Sequence, residues 1–259
     1  MNGIRERIYQ GEIVHLPTSA SSLELVKKIT ALLEKQFGHD FKTTHTRLSN
    51  DEFLSQLSLV RSKINTDQIK LLAWAILKEA EFDVHQYLID QVRLRAIIPN
   101  AHTISAARAV YIAHRDTWYG NSQSQINCWI PLHEVKTDAG FDIYPNYFTT
   151  AVKNNSAQFD YQSFKESVGW QSSKADRDLF PSLLGEFDEQ RAVPIYGDKA
   201  SHHLFSASHL HRTKKIAGDD VRFSLDFRFV HIDDHQKGRG APNVDNQSTG
   251  SATDDYTAY

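Results

Sequence analysis

The first third of the chain shows the hydrophobic spacing of amphipathic helices. Residues 21–38, SSLELVKKITALLEKQFG, place apolar side chains near helical spacing, and Gly38 can end the helix. The next run begins at Ser49 with Glu52 three residues later, which is the pattern of a capping box. Residues 66–82, TDQIKLLAWAILKEAEF, form a third such run. The apolar positions are Leu23, Val26, Leu33 and Phe37 in the first run, and Ile69, Leu72, Ala73, Ile76 and Leu77 in the third. These runs predict that residues 1–89 are mostly helical.

After residue 90 the apolar runs shorten to strand length. Seven runs rich in β-branched and aromatic residues alternate with turn residues, which favours a β-sandwich or barrel over residues 90–232. An aromatic and polar insertion at 147–191 is a candidate lid over a substrate. The tail, 233–259, is rich in Gly, Asn, Ser, Thr and Asp, and we expect it to be irregular. The predicted strands are VRLRAIIPN (92–100), RAVYIAHRDTWYG (108–120), SQINCWIPLHEV (124–135), GFDIYPN (140–146), RAVPIYGD (191–198), HHLFSASHLHRT (202–213) and VRFSLDFRFVHI (221–232).

Composition narrows the class of protein. The 259 residues suit a single domain, and the net charge of −3 gives no electrostatic footprint for nucleic acid or an anionic membrane. A single cysteine, Cys128, excludes an internal disulfide framework and fits a reducing compartment. No signal peptide and no apolar run approaching about 18 residues is present. We therefore expect a cytoplasmic protein with a small-molecule partner, and the sequence leaves its oligomeric state open.

The run around His114 carries the first candidate chemistry. Side chains alternate between the faces of a strand, so His114 and Asp116 are predicted to share one face while Arg115 points away. An imidazole and a carboxylate placed together are two parts of the facial triad that holds non-haem Fe(II) and leaves coordination positions open. A His-x-Asp pair also occurs by chance, so it needs a third ligand.

The third ligand has several candidates in the run 202–213. His202, His203, His209 and His211 all lie there, and the last two are spaced to face the same side of a strand. Hydrogen bonding along a strand is the ordinary role of any one of these side chains. Spacing alone leaves His209 and His211 both open.

The last predicted strand alternates between an apolar and a polar face. Inside a barrel, the polar face would line the lumen. Arg222 could then hold a carboxylate with two hydrogen bonds, and Ser224 could donate another. The apolar face comprises Phe223, Leu225, Phe227 and Phe229, and the polar face comprises Arg222, Ser224, Asp226 and Arg228.

Together, AHRDTWYG, SQINCWIPL, SASHLHRT and VRFSLDFR resemble the phytanoyl-CoA dioxygenase-like family of Fe(II)/2-oxoglutarate-dependent oxygenases, over about residues 90–232. In that family a His-x-Asp motif and a distal histidine hold iron, and an arginine about eleven residues further on binds 2-oxoglutarate. The resemblance therefore implies that His114, Asp116 and His211 are the metal ligands, with Arg222 and Ser224 holding the cosubstrate. It favours His211 over His209, because Arg222 follows His211 by eleven positions.

Other roles are carried over by the resemblance less directly. Thr213 lies where family members often place a hydroxyl near the cosubstrate, and Asn127 or Gln125 could bind its near end. Arg93 and Arg95 share a strand face and could meet an anionic substrate. Ordinary strand hydrogen bonds and a solvated strand face are the alternatives for these residues.

The resemblance implies a mainly β fold with added helices, a double-stranded β-helix (a jelly-roll, cupin-like barrel) with the N-terminal helices packed outside. It implies the cofactors Fe(II), 2-oxoglutarate and O2, and hydroxylation with release of succinate and CO2. Because no basic cluster suits the phosphates of CoA and the 147–191 insertion is polar as well as aromatic, we expect the substrate to be a small polar metabolite or natural-product intermediate. Desaturation, epimerisation and ring formation use the same ligands and stay open. A zinc hydrolase would leave Arg222 and Ser224 without a task, Asp116 argues against a halogenase, and a metal-binding or ligand-free jelly-roll module is a further alternative.

Overall fold

The structure is a computed structural model that describes residues 3–103, 111–167, 180–216 and 218–259. Two antiparallel sheets and a group of helices make up a mixed α/β fold in these ranges. The helices are α1 (Ile4–Tyr9), α2 (Ala20–Phe37), α3 (Asn50–Arg61), α4 (Asp67–Glu79), α5 (Tyr161–Ser167) and α6 (Ile232–Gln236). The strands are β1 (Val14–Leu16), β2 (Tyr87–Ile89), β3 (Arg93–Ile97), β4 (Gln125–Pro131), β5 (Phe141–Ile143), β6 (Val193–Ile195), β7 (His202–Ser206), β8 (His211–Thr213), β9 (Arg222–His231) and β10 (Thr257–Ala258).

The larger sheet is organised around the long strand β9. Its strand order is β1-β7-β4-β9-β2-β10, and β3 pairs with the first half of β9 on the same side as β2. The smaller sheet has the order β6-β5-β8. Apolar side chains from both sheets meet in one cluster, with Trp129 and Phe205 from the larger sheet and Phe141, Ile143 and Ile195 from the smaller. The two sheets therefore pack face to face.

The predicted helices of the first third are confirmed as α2, α3 and α4. Ser49 caps α3, and its reciprocal hydrogen bonds with Glu52 form the capping box. Gly38 follows α2 with a φ of 86°, a conformation that glycine adopts without strain. Leu23 was expected on the buried face of α2 but is 48% exposed, because the helix turns Leu25 and Ile29 inward instead.

The helices α2, α3 and α4 pack against the apolar face of β9. Phe223, Leu225, Phe227 and Phe229 are fully buried and belong to one core cluster with side chains of α2, α3 and α4. The opposite, polar face of β9 points toward the side where β4 presents Asn127 and Trp129, since paired residues of adjacent strands share a face. The division of β9 into an apolar and a polar face, predicted from the sequence, is thus confirmed.

One predicted strand is wrong over its described part. Residues 104–110 lie outside the described residues, and beyond them only His114 forms a β-bridge before a 3-10 helix takes over at Asp116–Tyr119. The chain turns there because the Arg115 side chain is drawn into a buried ion pair, and Gly120, at a φ of 73°, ends the 3-10 helix. Short strands β1, β2 and β10 were not predicted, because two or three residues carry too little periodicity.

The insertion and the tail are packed together. Described residues of the insertion form a cluster with Trp118 and Tyr119 through Phe159, Tyr161 and Phe164. The tail, expected to be irregular, contains α6 and β10, and Asp245 within it is buried against Arg115. Residues 168–179 of the insertion lie outside the described part, so the lid role stays a prediction. Within the described ranges, no helix combines the length and apolar character that a membrane crossing requires.

We predict that Phe227→Ala destabilises the protein strongly. The ring is fully buried between the sheet and the helices, so truncation should lower the free energy of unfolding by about 3–5 kcal/mol. Leu71→Ala is the control, since Leu71 is 58% exposed and should change stability by no more than about 0.5 kcal/mol. Urea unfolding followed by circular dichroism measures both, and equal effects would contradict the assigned packing.

Candidate metal centre

Three side chains predicted to bind metal come together in the structure. His114, Asp116 and His211 each place one potential ligand atom within 4.8 Å of the others. The backbones of His114 and His211 are joined by two N–H···O hydrogen bonds of 3.0 Å, which fixes the two histidines side by side. Asp116 begins the 3-10 helix two residues later. The convergence predicted from strand alternation is therefore observed, although a bridge and a turn produce it.

Each histidine presents one ring nitrogen as a possible ligand. His114 Nδ1 lies 3.0 Å from the carbonyl of Ile112, and His211 Nδ1 lies 3.0 Å from the carbonyl of His209. A carbonyl oxygen can only accept, so both Nδ1 atoms carry a proton, and Nε2 is the ring nitrogen of each histidine that is available to a metal. Burial, aided by the nearby His211, lowers the pKa of His114 to about 4, which keeps its ring neutral. Neutral imidazoles with an outer hydrogen bond are the usual form of metal-binding histidines.

The Asp116 carboxylate is ionised despite its burial. Burial raises its pKa, but the nearby Arg228 guanidinium, the neighbouring His211 and His114, and a hydrogen bond from Asn127 together bring the pKa down to about 2. An Arg228 nitrogen lies 3.6 Å from Asp116 Oδ1. The result is a carboxylate and two imidazole lone pairs facing one point. That donor set fits a divalent cation held on one face, with further positions open.

A chain of buried hydrogen bonds runs from Asp116 to the tail. Asn127 donates to Asp116 Oδ2 at 2.6 Å, Gln125 donates to Asn127 at 2.9 Å, and the Tyr256 hydroxyl donates to Gln125 at 2.7 Å. Asn127 and Gln125 had been predicted to bind 2-oxoglutarate. Their amides support Asp116, since both residues lie on the same face of β4, and contact of either with 2-oxoglutarate stays a prediction. We infer that they orient the ligand.

A second buried cluster holds the backbone of the His-x-Asp motif. Arg115 pairs with Asp245 at 3.1 Å and donates to the carbonyls of Tyr147 and Thr150. The same Asp245 accepts a hydrogen bond of 2.8 Å from the Trp118 indole. Arg115 faces away from the ligands, as alternation predicts, and it ties the motif to both the insertion and the tail.

Arg222 and Ser224 lie on the inward face of β9 with donors to spare. One Arg222 nitrogen donates to the carbonyl of Gly140 at 2.8 Å, while its Nε and the Ser224 hydroxyl are buried and have no hydrogen-bond partner among the described residues. Burial lowers the pKa of Arg222 to about 10, which leaves it charged at neutral pH. Buried donors without partners are rare, and these two suit a bound carboxylate.

The other histidines of the run 202–213 have structural partners. His209 is fully buried, stacks on Phe148 at 4.5 Å and lies 3.1 Å from the carbonyl of Gly11. His203 lies beside His15 and the carbonyl of Tyr196, and His202 beside that of Ala200. The cluster of potential ligands contains His211 and not His209, in agreement with the choice made from the eleven-residue interval to Arg222.

The remaining predicted residues, Arg93, Arg95 and Thr213, lie outside the ligand cluster. Arg93 pairs with Asp90, and Arg95 pairs with Asp226 at 2.8 Å, so both charges are balanced without a substrate. Thr213 lies on β8 opposite Phe141. Its contact with a cosubstrate stays a prediction.

Sequence reasoning gave no site role to Tyr256, Asp245 or Asn121, and it placed Arg228 only on the polar face of the last strand. Asn121 donates to the backbone carbonyl of Asp116 at 2.8 Å. The first two residues lie in a tail whose composition indicates irregular chain. Of these four residues, only Arg228 could have been recognised from the sequence, because it shares the polar face of β9 with Arg222.

No family model matches this chain, and no curated protein shows a significant sequence match. Solved structures do match. EvdO2 from Micromonospora carbonacea var. aurantiaca aligns over 88% of this chain and 89% of its own, with a TM-score of 0.53 and 11% identity. The apo form of ThoJ, a non-heme monooxygenase, aligns over 88% of this chain and 76% of its own, with a TM-score of 0.51 and 10% identity. At such identities the similarity is one of fold.

We predict that His211→Ala nearly abolishes metal binding, whereas His209→Ala does not. Loss of a ligand should weaken Mn(II) affinity by more than the roughly tenfold to hundredfold that loss of an outer partner costs. His209→Ala should instead lower stability, since it empties a buried, stacked position. Mn(II) titration followed by electron paramagnetic resonance measures the affinity, and a reversed pattern would transfer the ligand role to His209.

We predict that removing the Tyr256 hydroxyl weakens metal binding, because this hydroxyl ends the hydrogen-bond chain that orients Asp116. Tyr256→Phe leaves Gln125 without its donor, and because two amides intervene we expect Mn(II) affinity to fall by only about threefold to tenfold, at or below the low end for an outer partner. Tyr259→Phe is the matched control, because its hydroxyl meets Lys78. Equal affinities in the two variants would show that the hydrogen-bond chain does not support the metal site.

Proposed function

We propose that this protein is an Fe(II)/2-oxoglutarate-dependent oxygenase of the phytanoyl-CoA dioxygenase-like family, built on a jelly-roll barrel with the helices outside. The observation that carries the proposal is the convergence of His114, Asp116 and His211, with both imidazoles oriented by backbone carbonyls and the carboxylate ionised. The fold shared with ThoJ, described as a non-heme monooxygenase, supports it. The resemblance of the quoted motifs supports the finer family.

Fe(II) would be held by His114, Asp116 and His211. Two nitrogens and one carboxylate oxygen suit iron that must leave positions open for other ligands. The protein prepares this donor set, since backbone carbonyls fix the orientation of both imidazoles and Arg228 helps to hold Asp116 ionised. A zinc hydrolase could use the same three ligands, but it would leave the unpartnered donors of Arg222 and Ser224 without a purpose.

Arg222 and Ser224 would bind the distal carboxylate of 2-oxoglutarate. The Arg222 guanidinium is anchored by Gly140 through one nitrogen, which leaves its Nε side to face a ligand. Two parallel hydrogen bonds to a carboxylate use that planar edge, and the Ser224 hydroxyl can add a third. The cosubstrate would thereby satisfy both buried donors at once.

Bound together, Fe(II) and 2-oxoglutarate supply the oxidative chemistry, in which O2 is consumed, succinate and CO2 are released, and a C–H bond becomes an alcohol. The chain's own task is to hold the ligands, position the substrate and exclude water. Described parts of the insertion help to enclose the site, since Phe159 contacts Tyr119, whose ring lies 5.5 Å from that of His114. The substrate we propose is a small polar metabolite or natural-product intermediate.

Arg222→Ala should weaken 2-oxoglutarate binding and spare metal binding. A charge-assisted hydrogen bond contributes about 1.5–3 kcal/mol, which corresponds to roughly tenfold to a hundredfold in affinity. Arg222→Lys should restore part of the loss, because an ammonium group lacks the planar fork. Anaerobic titration of Fe(II)-loaded protein, followed by the charge-transfer absorption of the chelated cosubstrate, gives the dissociation constants.

Arg212→Ala is the matched control, because Arg212 lies on β8 beside His211 but pairs with Glu189 near the surface. Its 2-oxoglutarate affinity should equal that of the unmodified protein. An unchanged dissociation constant in Arg222→Ala would mean that another residue holds the distal carboxylate.

A further inference from the structure

A cavity of about 470 Å³ lies on the Arg228 side of the metal centre. Its wall includes Asp90, Arg93, Asn121, Arg228 and Tyr256, and the loop between α3 and α4 borders it through Asn65. A volume of this size is typical of pockets for small molecules. None of His114, Asp116 and His211 lines this cavity, so it is distinct from the ligand cluster while sharing Arg228 as a wall.

Arg228 meets the cavity with unused hydrogen-bond donors. The residue is only 9% exposed, yet its guanidinium forms no hydrogen bond to any described residue. Its nearest carboxylate oxygens, on Asp116 and Asp90, lie 3.6 Å and 4.0 Å away, beyond hydrogen-bond distance. A guanidinium has five N–H donors, and a buried one ordinarily uses them. A ligand in the cavity could therefore reach the N–H groups of Arg228.

The surrounding charges favour an anionic partner. Asp90 already pairs with Arg93, and Lys165 already pairs with Asp255. Apart from Arg228, the other charged residues of the lining are Asp67 and Lys70, which are of opposite sign, so the lining carries one more positive than negative charge. When a divalent cation shares the charge of Asp116, Arg228 loses part of its own balance. A carboxylate in the cavity would restore that balance and accept the free N–H groups in the planar geometry that a guanidinium prefers.

We propose that this cavity binds a carboxylate group of the substrate, with Arg228 as its partner, so that the substrate of the proposed oxygenase is a small carboxylic acid. This inference rests on the proposed function. Arg228 lies beside Asp116 and therefore anchors the acid close to the metal centre. Polar groups of both signs on the cavity wall suit additional hydroxyl or amino groups on such a molecule.

A matched pair of probes tests the charge requirement. N-acetylglycine carries a carboxylate, and N-acetylglycinamide has the same skeleton without the charge. The full chain is loaded with Mn(II) and saturating 2-oxoglutarate, so that the Arg222 site is filled, and probe binding is followed by NMR. We expect the acid to bind at least about tenfold more tightly than the amide, which is the size of one charge-assisted contact. Mn(II) should broaden the signals of the bound acid, whereas Zn(II)-loaded protein should not.

Two tryptophan substitutions locate the probe without altering Arg228. Asn65→Trp fills the mouth of the cavity, whereas Lys63→Trp adds the same ring to the same loop outside the lining. Binding of the acid should fall at least about tenfold in Asn65→Trp, at a cost of about 1.4 kcal/mol, and stay unchanged in Lys63→Trp.

Equal binding of acid and amide, unchanged binding in Asn65→Trp, or binding without Mn(II) broadening would each overturn the proposal. Failure of the proposed function has a different signature, because the protein would then not bind Mn(II) and 2-oxoglutarate together. In that case the acid–amide comparison on metal-free protein still decides whether the cavity is an anion site.

Discussion

The site depends on how one buried carboxylate is kept charged. Burial alone would favour protonation of Asp116, and a protonated acid is a poor metal ligand. Arg228 at 3.6 Å and the Asn127 amide at 2.6 Å reverse that preference. A metal ion would add the remaining compensation, and backbone carbonyls already orient the two histidines that would be its other ligands. The charge of Asp116 therefore follows from its surroundings, while backbone hydrogen bonds place the two histidines beside it.

Segments far apart in sequence meet to build this environment. A two-hydrogen-bond bridge joins His114 to His211, and Arg115 joins the same turn to Asp245 of the tail. The tail contributes again through Tyr256, whose hydroxyl ends the hydrogen-bond chain behind Asp116. Breaking a buried pair leaves an uncompensated charge, which is far more costly than losing a surface pair. The C-terminal segment is thus part of the site's frame.

Sequence patterns predicted the cluster of potential metal ligands better than the local structure that brings these residues together. The helices α2 to α4 and the two faces of β9 followed from apolar spacing, and His211 was chosen over His209 from its interval to Arg222. The strand expected around His114 was wrong, because a tertiary ion pair of Arg115 overrides local β-propensity. Asp245 and Tyr256 could not be predicted, since their contacts span more than 100 residues and leave no local pattern.

The central claim is that His114, Asp116 and His211 form an iron site whose chemistry consumes 2-oxoglutarate. The most direct measurement is succinate formation by chelator-stripped protein, reconstituted with Fe(II) or Zn(II) in the presence of O2 and 2-oxoglutarate. Fe(II) should restore turnover, Zn(II) should not even though it binds tightly, and Asp116→Ala should reduce the Fe(II)-dependent rate to background. Succinate formation that persists in Asp116→Ala, or full activity with Zn(II), would contradict the account.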